Sequence, residues 1–244
     1  MNRIALMVLR NFWRVPGVYW KLCHYAKNTD EYPEEEKYAH IRYIFKHAVQ
    51  SGNIDLQVYG VENIPQENGF FLCGNHQGMF DILAITVSCE KPWAAVLKKE
   101  LKNIPVLKQM VQCTKSFPMD REDIKQSLQV IKAVTKELKE GRNYLIFPEG
   151  TRSRMGNKML EFHGGSFKPA IRTRCPIVPF ALIDSYKVLD QKGSKEVTVQ
   201  VHYLEPIYYE EYKELSTVKL AELVRTRIED TISKYEKENK ILRH

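Results

Sequence analysis

The sequence predicts an α/β fold preceded by a helical hairpin, on three observations. From residue 51 onward, short apolar runs alternate with amphipathic stretches of helical period, and such alternation builds layered α/β structures. Two of the apolar runs, residues 70–73 and 144–147, lead straight into polar loops that carry glycine. A strand running into a loop is a common way to present reactive side chains at a sheet edge. The first fifty residues, by contrast, are helical in period throughout.

Residues 1–50 read as an N-terminal amphipathic helical hairpin. At about 100° per residue, Arg3, Arg10, Arg14 and Lys21 share one narrow band. Ile4, Val8, Phe12, Val15, Tyr19 and Leu22 fall on the other side, with Trp13 and Trp20 at one margin. A basic stripe beside an aromatic-rich apolar face describes a helix lying in a membrane interface. The same pattern suits an amphipathic helix packed on the protein's own core with its cations solvated. Pro16 predicts a kink. Pro33 followed by Glu34, Glu35 and Glu36 starts the second helix, with acid in its first turn. Tyr38, Ile41, Phe45 and Ala48 then recur at helical spacing until Ser51-Gly52-Asn53 ends the run.

Residues 51–244 read as one α/β domain. Residues 54–59 alternate as a strand, residues 70–73 are an apolar strand, residues 81–87 are helical and residues 94–97 are a short strand. Residues 101–113 form a helix or an irregular turn, complicated by Pro105, and residues 117–119 a short strand. Ile124, Leu128, Ile131, Val134 and Leu138 mark an amphipathic helix that Gly141 closes. Residues 143–147 and 177–182 are apolar strands, and residues 196–203 alternate as another. Leu220, Leu223, Val224, Ile228 and Ile232 mark a last helix with a charged outer face.

A chain of 244 residues buries a full core as one such domain plus a small appendage. The net charge of +7 favours an anionic partner, whether membrane lipid, acidic protein, phosphate-bearing substrate or nucleic acid. Cys23, Cys73, Cys89, Cys113 and Cys175 are scattered and odd in number, and no Cys-x-x-Cys occurs. That pattern fits a reducing compartment without a disulfide framework or zinc ribbon. Arg10 and Arg14 interrupt the N-terminal segment, which therefore reads as neither a signal peptide nor a spanning helix.

The chemistry concentrates in two loops. In Gly74-Asn75-His76-Gln77-Gly78-Met79-Phe80-Asp81, a histidine and an aspartate stand five positions apart. An imidazole takes a proton near neutral pH, and a carboxylate on its other nitrogen fixes the useful tautomer. Alone, the pair is more often a structural histidine and a helix-capping aspartate than a catalytic one. No Gly-x-Ser-x-Gly elbow is present to supply a serine nucleophile. No third ligand stands at metal-binding spacing from His76 and Asp81, so no metal site is expected.

Together with Phe147-Pro148-Glu149-Gly150-Thr151-Arg152-Ser153, that segment resembles the first and third sequence blocks of the glycerolipid acyltransferase superfamily, and within it the 1-acyl-glycerol-3-phosphate acyltransferases. Lys98-Lys99-Glu100-Leu101, Ile104-Pro105 and Asp120-Arg121 are similar to the second block, and Val178-Pro179 to the fourth. The blocks stand in family order between Asn75 and about Ile183. Gly78 departs from the family, which more usually has serine there, and Lys108 and Lys115 stand where its second block usually has glycines.

The resemblance implies a mixed β-sheet flanked by helices. It also implies transfer of a fatty acyl chain, from an acyl carrier protein or coenzyme A thioester, to the sn-2 hydroxyl of 1-acyl-glycerol-3-phosphate. His76 would be the general base, Asp81 its orienting carboxylate and Lys98 the stabiliser of the oxyanion. Arg121 and Arg152 would grip the substrate phosphate, with Glu149, Gly150 and Thr151 around the glycerol. No cofactor beyond the thioester co-substrate is implied. Expected partners are an anionic membrane surface, lysophosphatidate and the acyl carrier; no nucleic-acid module is recognised. The expected location is peripheral, at the cytoplasmic face of the membrane. Glycerol-3-phosphate or another lysolipid as acceptor, and a non-catalytic lipid-binding module, are the alternatives.

Overall fold

The computed structural model describes residues 2–120 and 123–241. In chain order the elements are α1 (Arg3–Arg10), α2 (Val15–Lys27), α3 (Glu34–Ser51), β1 (Ile54–Tyr59), β2 (Phe71–Gly74), α4 (Asp81–Ser88), β3 (Ala94–Lys98), α5 (Leu107–Cys113), β4 (Phe117–Met119) and α6 (Ile124–Lys139). There follow β5 (Tyr144–Ile146), α7 (Lys168–Thr173), β6 (Ile177–Ile183), α8 (Tyr186–Leu189), β7 (Val197–Tyr203), α9 (Tyr209–Tyr212) and α10 (Thr217–Ile241).

Among the described residues the strands form one seven-stranded sheet in the order β1-β7-β6-β2-β5-β3-β4. The β6–β7 pair is antiparallel and the other neighbours run parallel, so the sheet is mixed. Buried strands of a parallel sheet carry apolar residues on both faces, and β6 is buried along its whole length. Successive side chains point to opposite faces. Leu72, Leu145 and Phe180 therefore join Phe80, Ala84 and Ile85 of the α4 side, together with Met7, Tyr38 and Val49 of the N-terminal helices. Phe71, Cys73, Tyr144 and Ala181 meet Val130, Val134 and Val224 on the α6 and α10 side.

Strand order positions the site. The chain leaving β2 crosses to β3 on one side, whereas the chain leaving the adjacent β5 crosses to β6 on the other. Neighbouring connections that diverge open a crevice at the carboxyl ends of their strands, where open α/β sheets bind ligands.

The N-terminal segment differs from its expected form in two respects. The chain turns at residues 11–14 rather than bending at Pro16, which sits in the first turn of α2. There its missing N–H costs nothing. Of the basic stripe only Arg3 turns inward; Arg10, Arg14 and Lys21 remain exposed. Arg3 is buried, and its guanidinium donates to the carbonyls of Val188, Gly52, Asn53 and Lys195. Arg10 donates to the Ser51 carbonyl and to Asn53 Oδ1. The reason is local: chain ends at the α3–β1 turn and after α8 leave carbonyls without partners, and a five-donor guanidinium satisfies them. Most of the apolar face points away from the core, with Ile4, Val8, Phe12, Val15 and Tyr19 exposed, while Leu22 is buried. Leu9, Phe12, Trp13 and Trp20 are exposed, the two tryptophans at 65% and 69%. Among the described residues no helix is long and apolar enough to cross a membrane.

Candidate active site

The loop after β2 holds His76 and the start of α4 holds Asp81. His76 Nδ1 lies 2.6 Å from Asp81 Oδ2. A carboxylate only accepts, so Nδ1 is the donor, and in the neutral ring Nε2 then keeps its lone pair. Asp81 is fully buried, and a buried charge requires donors. It has them: Oδ2 also accepts the backbone N–H groups of Gln77 at 2.7 Å and Gly78 at 3.0 Å, and Oδ1 accepts the Ser185 hydroxyl. The His76 ring stacks on Phe147 with centroids 4.1 Å apart and keeps an 18% exposed edge.

The loop after β5 is bound to this one through the backbone. Ser153 donates its N–H to the His76 carbonyl at 2.8 Å. Glu149 Oε1 accepts the His76 N–H at 2.6 Å and Oε2 the Leu160 N–H at 2.8 Å. Glu149 is 2% exposed. Burial pushes its carboxyl above the usual carboxylate range, while the two backbone donors pull the other way. From the sequence Glu149 suits a glycerol hydroxyl or a brace for an arginine; in the structure each of its oxygens accepts a main-chain N–H. Gly150 has φ +72°, which favours glycine, and Thr151 stands exposed beside it.

Arg152 projects from the same loop, and its Nη1 donates to Asp190 Oδ1 at 2.7 Å. Lys98 ends β3, on the same edge of the sheet as His76 but with β5 between the two strands. Two strand spacings separate the backbones by roughly 10 Å. The Lys98 ammonium is well exposed and lies 3.5 Å from Glu100 Oε1. Arg121 lies outside the described residues, and its neighbour Asp120 pairs with Lys99.

The structure also brings in polar residues to which no site role had been given. Asn75 exchanges two hydrogen bonds with the main chain of Leu182, and Gln77 bonds Leu182, Asn157 and the Ser185 N–H. Asn75 and Gln77 flank His76, and that adjacency is the local signal the sequence carries for them. Ser185 and Asp190 lie outside the sequence blocks and carry no local signal.

A carboxylate-held histidine in the crevice of a mixed α/β sheet is an arrangement suited to proton transfer during group transfer. The chain belongs to the acyltransferase family, whose model matches residues 55–183. Among its relatives are 1-acyl-sn-glycerol-3-phosphate acyltransferases. That of Salmonella typhimurium is 31% identical over 165 residues, covering 67% of each chain. That of Helicobacter pylori is 31% identical over 150 residues, covering 57% of this chain and 63% of the relative. The crystal structure of the 1-acyl-sn-glycerophosphate acyltransferase from Thermotoga maritima superposes with a TM-score of 0.74 over 95% of this chain and 96% of that one. At 20% identity that likeness shows the fold.

Proposed function

We propose that this protein transfers a fatty acyl chain from a thioester donor, acyl carrier protein or coenzyme A, to the sn-2 hydroxyl of 1-acyl-glycerol-3-phosphate, giving phosphatidic acid. The observation that carries this is the His76–Asp81 contact at 2.6 Å, which leaves Nε2 as a base at the mouth of the crevice. The relatives' names support the acceptor.

In this reaction Nε2 removes the proton of the acceptor hydroxyl as its oxygen attacks the thioester carbonyl carbon. The carbonyl oxygen takes up negative charge, and Lys98 is the cation proposed to approach it, because positioned charge at a developing oxyanion is often a large catalytic effect. The C–S bond then breaks, and the imidazolium returns its proton to the leaving thiolate. Asp81 stabilises the imidazolium between the two steps. Arg152 holds the acceptor phosphate through its planar fork.

The exposed apolar face of α1 and α2 is proposed to lie in the membrane interface, on the cytoplasmic side. An apolar cleft of about 220 Å³, lined in part by Val8, Val15, Tyr19 and Ile44, opens between these helices and α3. It offers an acyl chain a path that avoids water. Arg10, Arg14 and Lys21 are exposed beside this face, so buried apolar area and attraction to anionic headgroups both contribute to binding.

The test is an assay of purified protein with labelled lysophosphatidate or glycerol-3-phosphate and each thioester donor in turn. Phosphatidate should form from lysophosphatidate and vanish in His76→Ala. Acylation of glycerol-3-phosphate alone, or an active His76→Ala variant, would overturn the proposal.

A further inference from the structure

We propose that Asp190 is the positioning residue for acceptor binding: its carboxylate holds the Arg152 guanidinium against the loop that carries His76. This rests on the assignment of Arg152 to the acceptor phosphate and extends it.

Asp190 ends α8 and is joined to both motif loops at once. Oδ1 accepts from Arg152 Nη1 at 2.7 Å, and Oδ2 accepts the backbone N–H of Met79 at 2.9 Å. The two acceptors of one carboxylate therefore tie the loop after β5 to the loop after β2, next to the base. The side chains of Arg152 and Asp190 are only 28% and 27% exposed, so the pair is partly withdrawn from solvent.

Gly78 makes room for this contact. A Cβ at position 78 would stand 2.4 Å from Asp190 Oδ2 and 3.1 Å from the Tyr186 Cα, so the carboxylate at the end of its flexible side chain would have to move off the loop. The glycine, where serine is more usual, lets the Asp190 carboxylate lie directly on the His76 loop. The loop and α8 are thus matched to each other by shape as well as by hydrogen bonds.

The pairing uses one of the guanidinium's two outer nitrogens. Among the described residues no protein group is bonded to Arg152 Nε or Nη2. These are the donors left for an anion, and the bond that Nη1 makes narrows the range of directions in which they point. A long side chain held in place before binding loses less conformational freedom on capturing its ligand. Asp190 need never touch the acceptor to affect it.

A double-mutant cycle tests this, with the full-length protein assayed on labelled lysophosphatidate and a thioester donor. Asp190→Asn keeps the volume of the side chain but cannot accept from Arg152 and Met79 together with full charge. It should raise the KM for lysophosphatidate by about tenfold, with the donor KM and the urea unfolding midpoint held. Arg152→Ala should raise the acceptor KM at least as much. Adding Asp190→Asn to Arg152→Ala should then change it no further, and Asp190→Glu should recover part of the loss. An unchanged or lowered acceptor KM in Asp190→Asn overturns the proposal. So does an equal effect with and without Arg152, which would make Asp190 a brace for the Met79 turn alone while leaving Arg152 as the phosphate ligand. Normal acceptor KM in Arg152→Ala sinks both assignments.

Discussion

Ser185 donates its hydroxyl to Oδ1 of Asp81, on the side of the carboxylate opposite His76. The segment after β6 thus holds from behind the group that orients the base. Removing the carboxylate charge should be severe and removing the hydroxyl moderate. For Asp81→Asn we expect kcat to fall by roughly 10²–10⁴-fold, since an amide does not fix or stabilise the imidazolium as a carboxylate does. For Ser185→Ala we expect roughly a tenfold loss, partly recovered in Ser185→Thr, consistent with the loss of one charge-assisted hydrogen bond. Steady-state kinetics on the three variants decides. Full activity in Asp81→Asn would show that the contact is structural.

Arg3 stabilises the fold by gathering four backbone carbonyls from three separate chain segments. Hydrogen bonds to charged groups contribute about 1.5–3 kcal/mol each, and buried acceptors left alone are costly. Arg3→Met should lower the unfolding free energy by about 3 kcal/mol or more in urea titration. Arg3→Lys should fall between, because an ammonium cannot span the same set of acceptors. A midpoint matching wild type in Arg3→Met would place the segment outside the cooperative unit.

Membrane association should follow the aromatic face. Phe12, Trp13 and Trp20 are exposed, and their ring contacts are with each other and with His24 rather than with the core. The triple variant Phe12→Ser, Trp13→Ser, Trp20→Ser should bind phospholipid vesicles about 100-fold more weakly or worse, since each aromatic buries 150–250 Å² at about 25 cal/mol per Å². Its unfolding midpoint should be unchanged. Wild-type binding should also survive high salt, which screens charge but not apolar insertion. Co-sedimentation of the triple variant at wild-type levels would rule this surface out.

Acid should weaken the packing of the N-terminal helices. His40 on α3 contacts the Val18 carbonyl of α2 through Nε2 at 3.0 Å; burial lowers its pKa below the ordinary value of 6.5, the Val18 carbonyl opposes that and Lys21 adds to it. His202 on β7 is lowered in the same direction, again chiefly by burial. The unfolded chain then binds more protons than the folded one as pH drops below about 6.5, so stability rises with pH across that window and is lost beneath it. Thermal unfolding at pH 7.5 and 5.5 should show the decline, and His40→Gln with His202→Gln should flatten it. An identical slope in the double variant would assign the effect to other groups.

The sequence by itself determined where the reactive groups lie along the chain. Apolar runs of three or four residues ending in His76-x4-Asp81 and in Glu149-Gly150-Thr151-Arg152 marked two strands and two loops. The alternation between them marked an α/β layer structure, because side-chain period reports burial directly. It also separated the N-terminal helix into a basic face and an apolar face. Tertiary structure alone decided which face turns inward. A carbonyl-rich turn and an anionic surface both attract guanidinium, and periodicity does not distinguish them; the carbonyls around Gly52 and Val188 settled it for Arg3. Tertiary structure alone also supplied Ser185 and Asp190. Their bonds to Asp81 and Met79 span 104 and 111 residues, and a hydrogen bond between segments so distant exists only after the sheet has set their strands side by side. Glu149 shows the same limit from the other direction: its place in a reactive loop was legible, but its commitment to buried backbone donors follows from the packing of two loops, which no local pattern records.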